Sequence, residues 1–214
     1  IGMGVAIAVL PVMPPMPQVP PGSGLGLAIF AQQIFIGIAI GFVMRIVFAA
    51  VDMAGALIGM QMGLSFAVFF DPDAGGQTVV LSDFLNLLAT LIFLAINGHL
   101  LMVDVLVRSF EWLPVATAAV DAGGWAFIAR AGVTVFSAGL LLSLPIIAIL
   151  LVANIALGVL TRAAPQLNLF AVGFPITLTA GFIGVLLVMT NFAPVLQGLF
   201  ERSFDTITLL LDAL

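Results

Sequence analysis

Residues 131–161 read AGVTVFSAGLLLSLPIIAILLVANIALGVLT, from Ala131 to Thr161 without one charged side chain. A helix of about 20 apolar residues, rising ~1.5 Å per residue, crosses a hydrocarbon core about 30 Å thick, so this stretch has spanning length. Working outward, a longer uncharged run follows from Ala163 to Phe200, and two more precede it, Leu25 to Met44 and Phe84 to Val103. Twenty such residues favour insertion by roughly 6–12 kcal/mol, against about 2.5–3.5 kcal/mol for one central Arg, so a single charge does not forbid a span. The fold class that follows is all-α and membrane-associated, with membrane lipid as its first partner.

The composition fits that reading. Of 214 residues, 63% are hydrophobic and 7% charged, a balance far from that of soluble domains. All five cations are Arg, placed singly at 45, 108, 130, 162 and 202, against ten acids. A nucleic-acid partner is excluded, because neutralising phosphates takes clustered cations. The same scatter leaves the orientation of the spans undecided by the positive-inside rule. Cysteine is absent and His99 is the single histidine, which leaves no thiol chemistry and no multi-His metal site. Gly63-Leu64-Ser65-Phe66 lacks the glycine after serine of a nucleophile elbow, and a phosphate-cradling loop needs a Lys that the chain does not contain. Neither an enzyme nor a cofactor is expected.

Local signals divide the chain. Ile1 to Leu10 is apolar, with no basic region before it and no Ala-x-Ala site after it, and reads as the end of a helix rather than a signal peptide. Six prolines between Pro11 and Pro21 make a partly extended linker. A first helix is expected from Leu25 toward Phe70, ending at the turn Asp71-Pro72-Asp73-Ala74-Gly75-Gly76. The run from Phe84 continues into Asp104, Arg108 and Glu111, which share a helical face. Pro145, Pro175 and Pro194 predict hinges or kinks, and Arg162 to Asn168 predicts a hairpin turn. The tail from Glu201, where Asp205 and Asp212 return, predicts an amphipathic or interfacial helix.

Gly55, Gly59 and Gly63 recur every four residues, as do Gly37 and Gly41, a spacing that lets another backbone approach closely in an apolar medium. These glycines pack either the chain's own hairpin or a neighbouring subunit. Met60, Met62, Phe66, Phe69 and Phe70 crowd the end of the first helix, where thioethers and rings form either ordinary packing or a deformable seal. Arg45 and Asp52 lie seven residues apart on nearly one face and pair loosely at best. The rival from another class is a small-solute secondary transporter with a midplane site between broken helices, which predicts internal repeats that the sequence does not display.

Four stretches in order carry a resemblance: Gly59-Met60-Gln61-Met62-Gly63-Leu64-Ser65 with the Asp71-Pro72 turn; Phe93 with Asn97-Gly98-His99-Leu100; Arg162-Ala163-Ala164-Pro165-Gln166-Leu167-Asn168-Leu169-Phe170; and Gly173-Phe174-Pro175. Together they resemble the FliR family of flagellar type III export-apparatus proteins. The resemblance implies long bent helical hairpins, a FliP-like first half at 1–125 and a FliQ-like second half at 126–214. It implies partnership with FliP-like and FliQ-like gate subunits, an FlhB-like switch protein and unfolded exported proteins. The implied place is the bacterial inner membrane at the flagellar basal body, with part of the chain projecting to the periplasmic side. It further implies that Phe69, Phe70, Asp71, Pro72, Asp73, Ala74, Gly75 and Gly76 form a pore loop or plug, and that Gln61 to Ser65 set the helix end presenting it. Arg162, Pro165, Gln166 and Asn168 would then mark a partner-facing hairpin tip.

Overall fold

The computed structural model describes residues 10–12, 19–20, 22–64, 80–115, 123–166 and 169–212, with backbone alone for 12, 123–130, 169–170 and 212. Every regular element among these residues is a helix: a 3-10 turn at Leu10–Val12, then α1 Gly24–Met62, α2 Val80–Ala95, α3 Gly98–Trp112, α4 Gly123–Ala163 and α5 Leu169–Asp212. The all-α expectation holds. Three helices, α1, α4 and α5, are long and apolar enough to cross a membrane, and α2 with α3 adds a fourth if that bent pair counts as one span.

The boundaries have local causes. Ser23 caps α1: its Oγ accepts the Gly26 N–H at 3.1 Å, and its hydroxyl donates to the Pro20 carbonyl at 2.7 Å. The other end of α1 is Met62, which corrects the expected run toward Phe70. Gly63 takes a φ of 84°, and its N–H returns to the Met60 carbonyl at 3.1 Å, the left-handed step by which glycine closes a helix.

A second correction concerns Phe84 to Val103, expected as one run. The helix breaks at Ile96 and Asn97, and α3 leaves α2 at a bend of 65°. Asn97 adopts φ 56° and ψ 29°, a region that Asn enters more readily than other side-chain-bearing residues. Its N–H still bonds the Leu94 carbonyl at 3.0 Å, while its own carbonyl accepts the Leu100 and Leu101 N–H groups at 2.9 and 3.1 Å. One residue thus ends one helix and starts the next.

Helix α4 continues through Pro145, and α5 through Pro175 and Pro194. Ala163 closes α4 and α5 opens at Leu169, which puts Pro165 and Gln166 in the expected hairpin turn.

Packing divides the chain into two compact units, each made of separated stretches. One takes in Ile1–Val47, Phe93–Val133 and Gln197–Leu214. Within it the Phe93 and Phe200 rings meet at 5.1 Å, and Phe200, Ser203, Ile207, Leu210 and Leu211 form a buried stripe opposite exposed Glu201, Arg202 and Asp205. That is the amphipathic tail the charges predicted. The other unit takes in Phe48–Ile92 and Thr134–Leu196, with Val51, Ile58, Met62, Leu150 and Leu196 among its most buried side chains. It holds the residues that matter most below.

Candidate functional site

The second unit is knit at helix crossings where a side chain is missing. A methyl group on Gly55 would lie 2.5 Å from both Cα and Oγ of Ser82, so α1 and α2 touch backbone to backbone. Polar contacts flank the crossing: the Ser82 hydroxyl donates to the Asp52 carbonyl at 2.8 Å, and Asn86 Nδ2 donates to the Asp52 carboxylate. Asp52 pairs with Asn86 and Gly55 with Ser82, so the two helices run antiparallel. Asp52 therefore engages α2 rather than Arg45, which is exposed. Asn86 Oδ1 is buried and has no hydrogen-bond partner among the described residues.

At the end of α1 the two methionines separate. Met60 is 64% exposed and Met62 0%. The Met62 side chain occupies the place where Gly181 of α5 would carry its own, with Cγ, Cε and Sδ 2.4 to 2.7 Å from that point. The Thr177 hydroxyl, shared with the Phe174 carbonyl at 3.1 Å, reaches the Met62 carbonyl at 3.3 Å. Gly139 meets the Ala50 carbonyl and Met53 on α1 in the same unit, and Gly184 meets Ile146 and Ile149 on α4.

Among the residues singled out from sequence, Gly55 makes a close crossing and Gly59 is buried. Gly37 and Gly41 are exposed, and among the described residues nothing beyond their own helix backbone lies within 4 Å of a built methyl. Gln61 is exposed, and Gly63 and Leu64 are half-buried. Arg162, Pro165 and Gln166 are exposed at the hairpin turn. Ser65, the loop from Phe69 through Gly76, and Asn168 lie outside the described residues, as does Phe66.

The Phe93 and Asn97-Gly98-His99 stretch has a structural account: Asn97 makes the corner, and Gly98 leaves room for the Phe93 ring, whose atoms stand 2.3 to 2.9 Å from a built methyl. His99 itself is exposed. Of the three charges on one helical face, Asp104 and Arg108 pair at 2.9 Å, with both side chains more than half exposed. Among the described residues no three His, Asp or Glu side chains gather as a metal site requires.

Sequence reasoning passed over Ser82, Asn86, Thr177 and Gly181. Ser82 and Asn86 are four apart on one helix, as are Thr177 and Gly181. Small or polar residues at that spacing in an apolar helix are the signal that marks them.

The family described as Bacterial export proteins, family 1, matches residues 1–203. The chain is 45% identical over 216 residues to the flagellar biosynthetic protein FliR of Pectobacterium carotovorum subsp. carotovorum, covering 100% of this chain and 82% of that protein. It is 42% identical over 205 residues to FliR of Escherichia coli strain K12, covering 96% and 78%. The distant FliR of Bacillus subtilis strain 168 is still 32% identical over 183 residues, covering 84% and 71%. A match that runs almost end to end, through all four motif stretches, leaves one assignment: the chain belongs to the FliR family of bacterial flagellar export proteins.

Proposed function

We propose that the chain is a subunit of the flagellar type III protein-export gate, where it helps to form and close the pore through which unfolded flagellar proteins leave. Membership of a family of flagellar export proteins over nearly the whole chain is the observation that carries this. The family is one of structural export-apparatus components, which supports a role other than catalysis and gives no support to a small-solute transporter.

Surface chemistry calls for a cover that the chain itself does not supply. The apolar stretches of α4 and α5 are only 22% and 28% buried by the chain itself, against 50% for α1. Leu141, Val152, Val159, Leu186 and Leu187 are each about two-thirds exposed, and such surface requires lipid or other subunits over it. Length supports a part outside the hydrocarbon. The uncharged portion of α5, Leu169 to Phe200, is about 48 Å long, and fitting it inside a core of about 30 Å takes a tilt near ~50°, beyond the usual 0–40°. The partners in this reading are FliP-like and FliQ-like subunits, with residues 1–125 and 126–214 their respective counterparts. An FlhB-like switch protein meets the tip at Arg162, Pro165, Gln166 and Asn168, and the setting is the inner membrane at the flagellar base with a periplasmic projection.

The test is the mass of the detergent-solubilised particle after co-expression with FliP-like and FliQ-like partners, recovered through a tag on this chain alone. A large hetero-oligomer holding this chain is expected, and a self-sufficient monomer or homodimer defeats the reading. For the plug, deleting Asp71 to Gly76 is expected to make the membrane leak ions. Unchanged leakage and export sink that part.

A further inference from the structure

Leu140, Leu144, Ile147, Leu151, Asn154, Gly158 and Thr161 follow one another along α4 at alternating steps of four and three residues. That is the heptad spacing of a seam that packs against another helix. All seven belong to one compact unit, yet the chain leaves the seam largely open. Leu140, Leu144 and Leu151 are each more than two-fifths exposed, Asn154 and Gly158 are exposed, and Ile147 and Thr161 are half-buried. A methyl built on Gly158 would meet nothing beyond the backbone of α4 among the described residues. Thr161 turns its hydroxyl back onto the Gly158 carbonyl at 2.9 Å. Asn154 has no such outlet, and no described residue hydrogen-bonds its amide.

The amide decides what covers the seam. Leu151, Val152, Ile155 and Val159 surround it and are all more than half exposed. Acyl chains would cover these side chains and leave the amide unpaired, which is costly in hydrocarbon. Water would solvate the amide and leave the leucines bare. A second helix with a polar side chain at the same level answers both needs, and Gly158, one turn on, lets its backbone come close. We propose that the seam from Leu140 to Thr161 docks an apolar helix of a neighbouring gate subunit, one that carries an amide or hydroxyl to pair with Asn154. The proposal rests on the export-gate reading, which places such subunits beside this chain. Asn154 fixes the register of that contact, because sliding the partner by one turn, about 5.4 Å, leaves the polar group of each helix without its mate.

The experiment uses the co-expressed complex tagged on this chain, with two readouts: partner subunits retained after dilution in detergent, and yield of the tagged chain made alone. Interhelical hydrogen bonds in membranes have a strength that corresponds to about three- to tenfold in an equilibrium. Asn154→Leu is therefore expected to retain about three- to tenfold less partner, with the yield of the chain alone unchanged. Gly158→Leu, which fills the space left for the partner backbone, is expected to lose partner as well, and Val159→Leu, off the seam, to keep it. Asn154→Leu that retains partner like the parent overturns the proposal, and is the result that a lipid-facing amide would give. Equal loss from Val159→Leu overturns it too, since any exchange on α4 would then suffice. If Asn154→Leu also lowers the yield of the chain alone, Gly158→Leu decides, retention overturning the proposal and loss upholding it. A second copy of this chain recovered in place of other subunits assigns the seam to a homodimer and overturns it. The gate reading fails separately: a parent chain that retains no partner defeats that reading and the seam's occupant with it, whereas retention by parent and Asn154→Leu alike defeats the seam alone.

Discussion

At Gly55 the place of a side chain is already taken by Ser82, and by its backbone, which cannot swing aside. Gly55→Ala is therefore expected to destabilise the purified chain by about 1–3 kcal/mol, the usual range for overpacking. Gly37 and Gly41 meet no other element among the described residues, and there the same substitution is expected to stabilise α1 by about 0.5–1 kcal/mol, because alanine loses less backbone freedom in a helix. Thermal unfolding of the three variants in one detergent distinguishes the positions; equal effects would mean that the crossing at Gly55 is not tight. Beside it, Asn86 donates to a half-buried carboxylate. Asn86→Leu removes that donor and is expected to cost about 1.5–3 kcal/mol, whereas Asp52→Asn keeps an acceptor and costs less. The reverse order in the same assay would show that the carboxylate is solvated by something other than α2.

At the scale of the element, the corner between α2 and α3 depends on one backbone conformation. Asn97→Gly is expected to be close to neutral and Asn97→Ala to cost about 1–2 kcal/mol, since an alanine in the left-handed region carries that penalty. Amide exchange at Leu100 and Leu101, whose N–H groups bond the Asn97 carbonyl, is the measurement; protection unchanged by Asn97→Ala would show that the corner is set elsewhere. Hydropathy could not reveal this break, because apolar residues continue on both sides and the conformation of Asn97 leaves no mark on them. The hairpin between α4 and α5 was legible for the opposite reason: Arg162, Pro165, Gln166 and Asn168 interrupt two uncharged runs together. The end of α1 was misread because Gly63 continues the four-residue series of Gly55 and Gly59, and spacing alone does not separate a packing glycine from a terminating one. The seat of Met62 was illegible because it depends on Thr177, 115 residues further along the chain, and on Gly181 beyond it. Such a contact exists only after the helices have met.

For the whole molecule, the unburied surface of α4 and α5 sets what the chain does without partners. Leu151, Val152, Ile155 and Val159 stand more than half exposed along one helix. Photo-crosslinkers at Val152 and Leu186 are expected to capture acyl chains when this chain is made alone, and to capture other gate subunits at one or both sites when the partners are co-expressed. Lipid adducts unchanged by co-expression would mean that neither face enters an interface. The bend at Asn97 also bears on how the chain occupies the bilayer. With α2 upright, its 16 residues climb about 24 Å, short of a core about 30 Å thick. The 15 residues of α3, departing at 65°, add only about 10 Å of height while travelling about 20 Å sideways. In that pose the pair would rise steeply and then step sideways, and the change of direction would come from the backbone of a single asparagine.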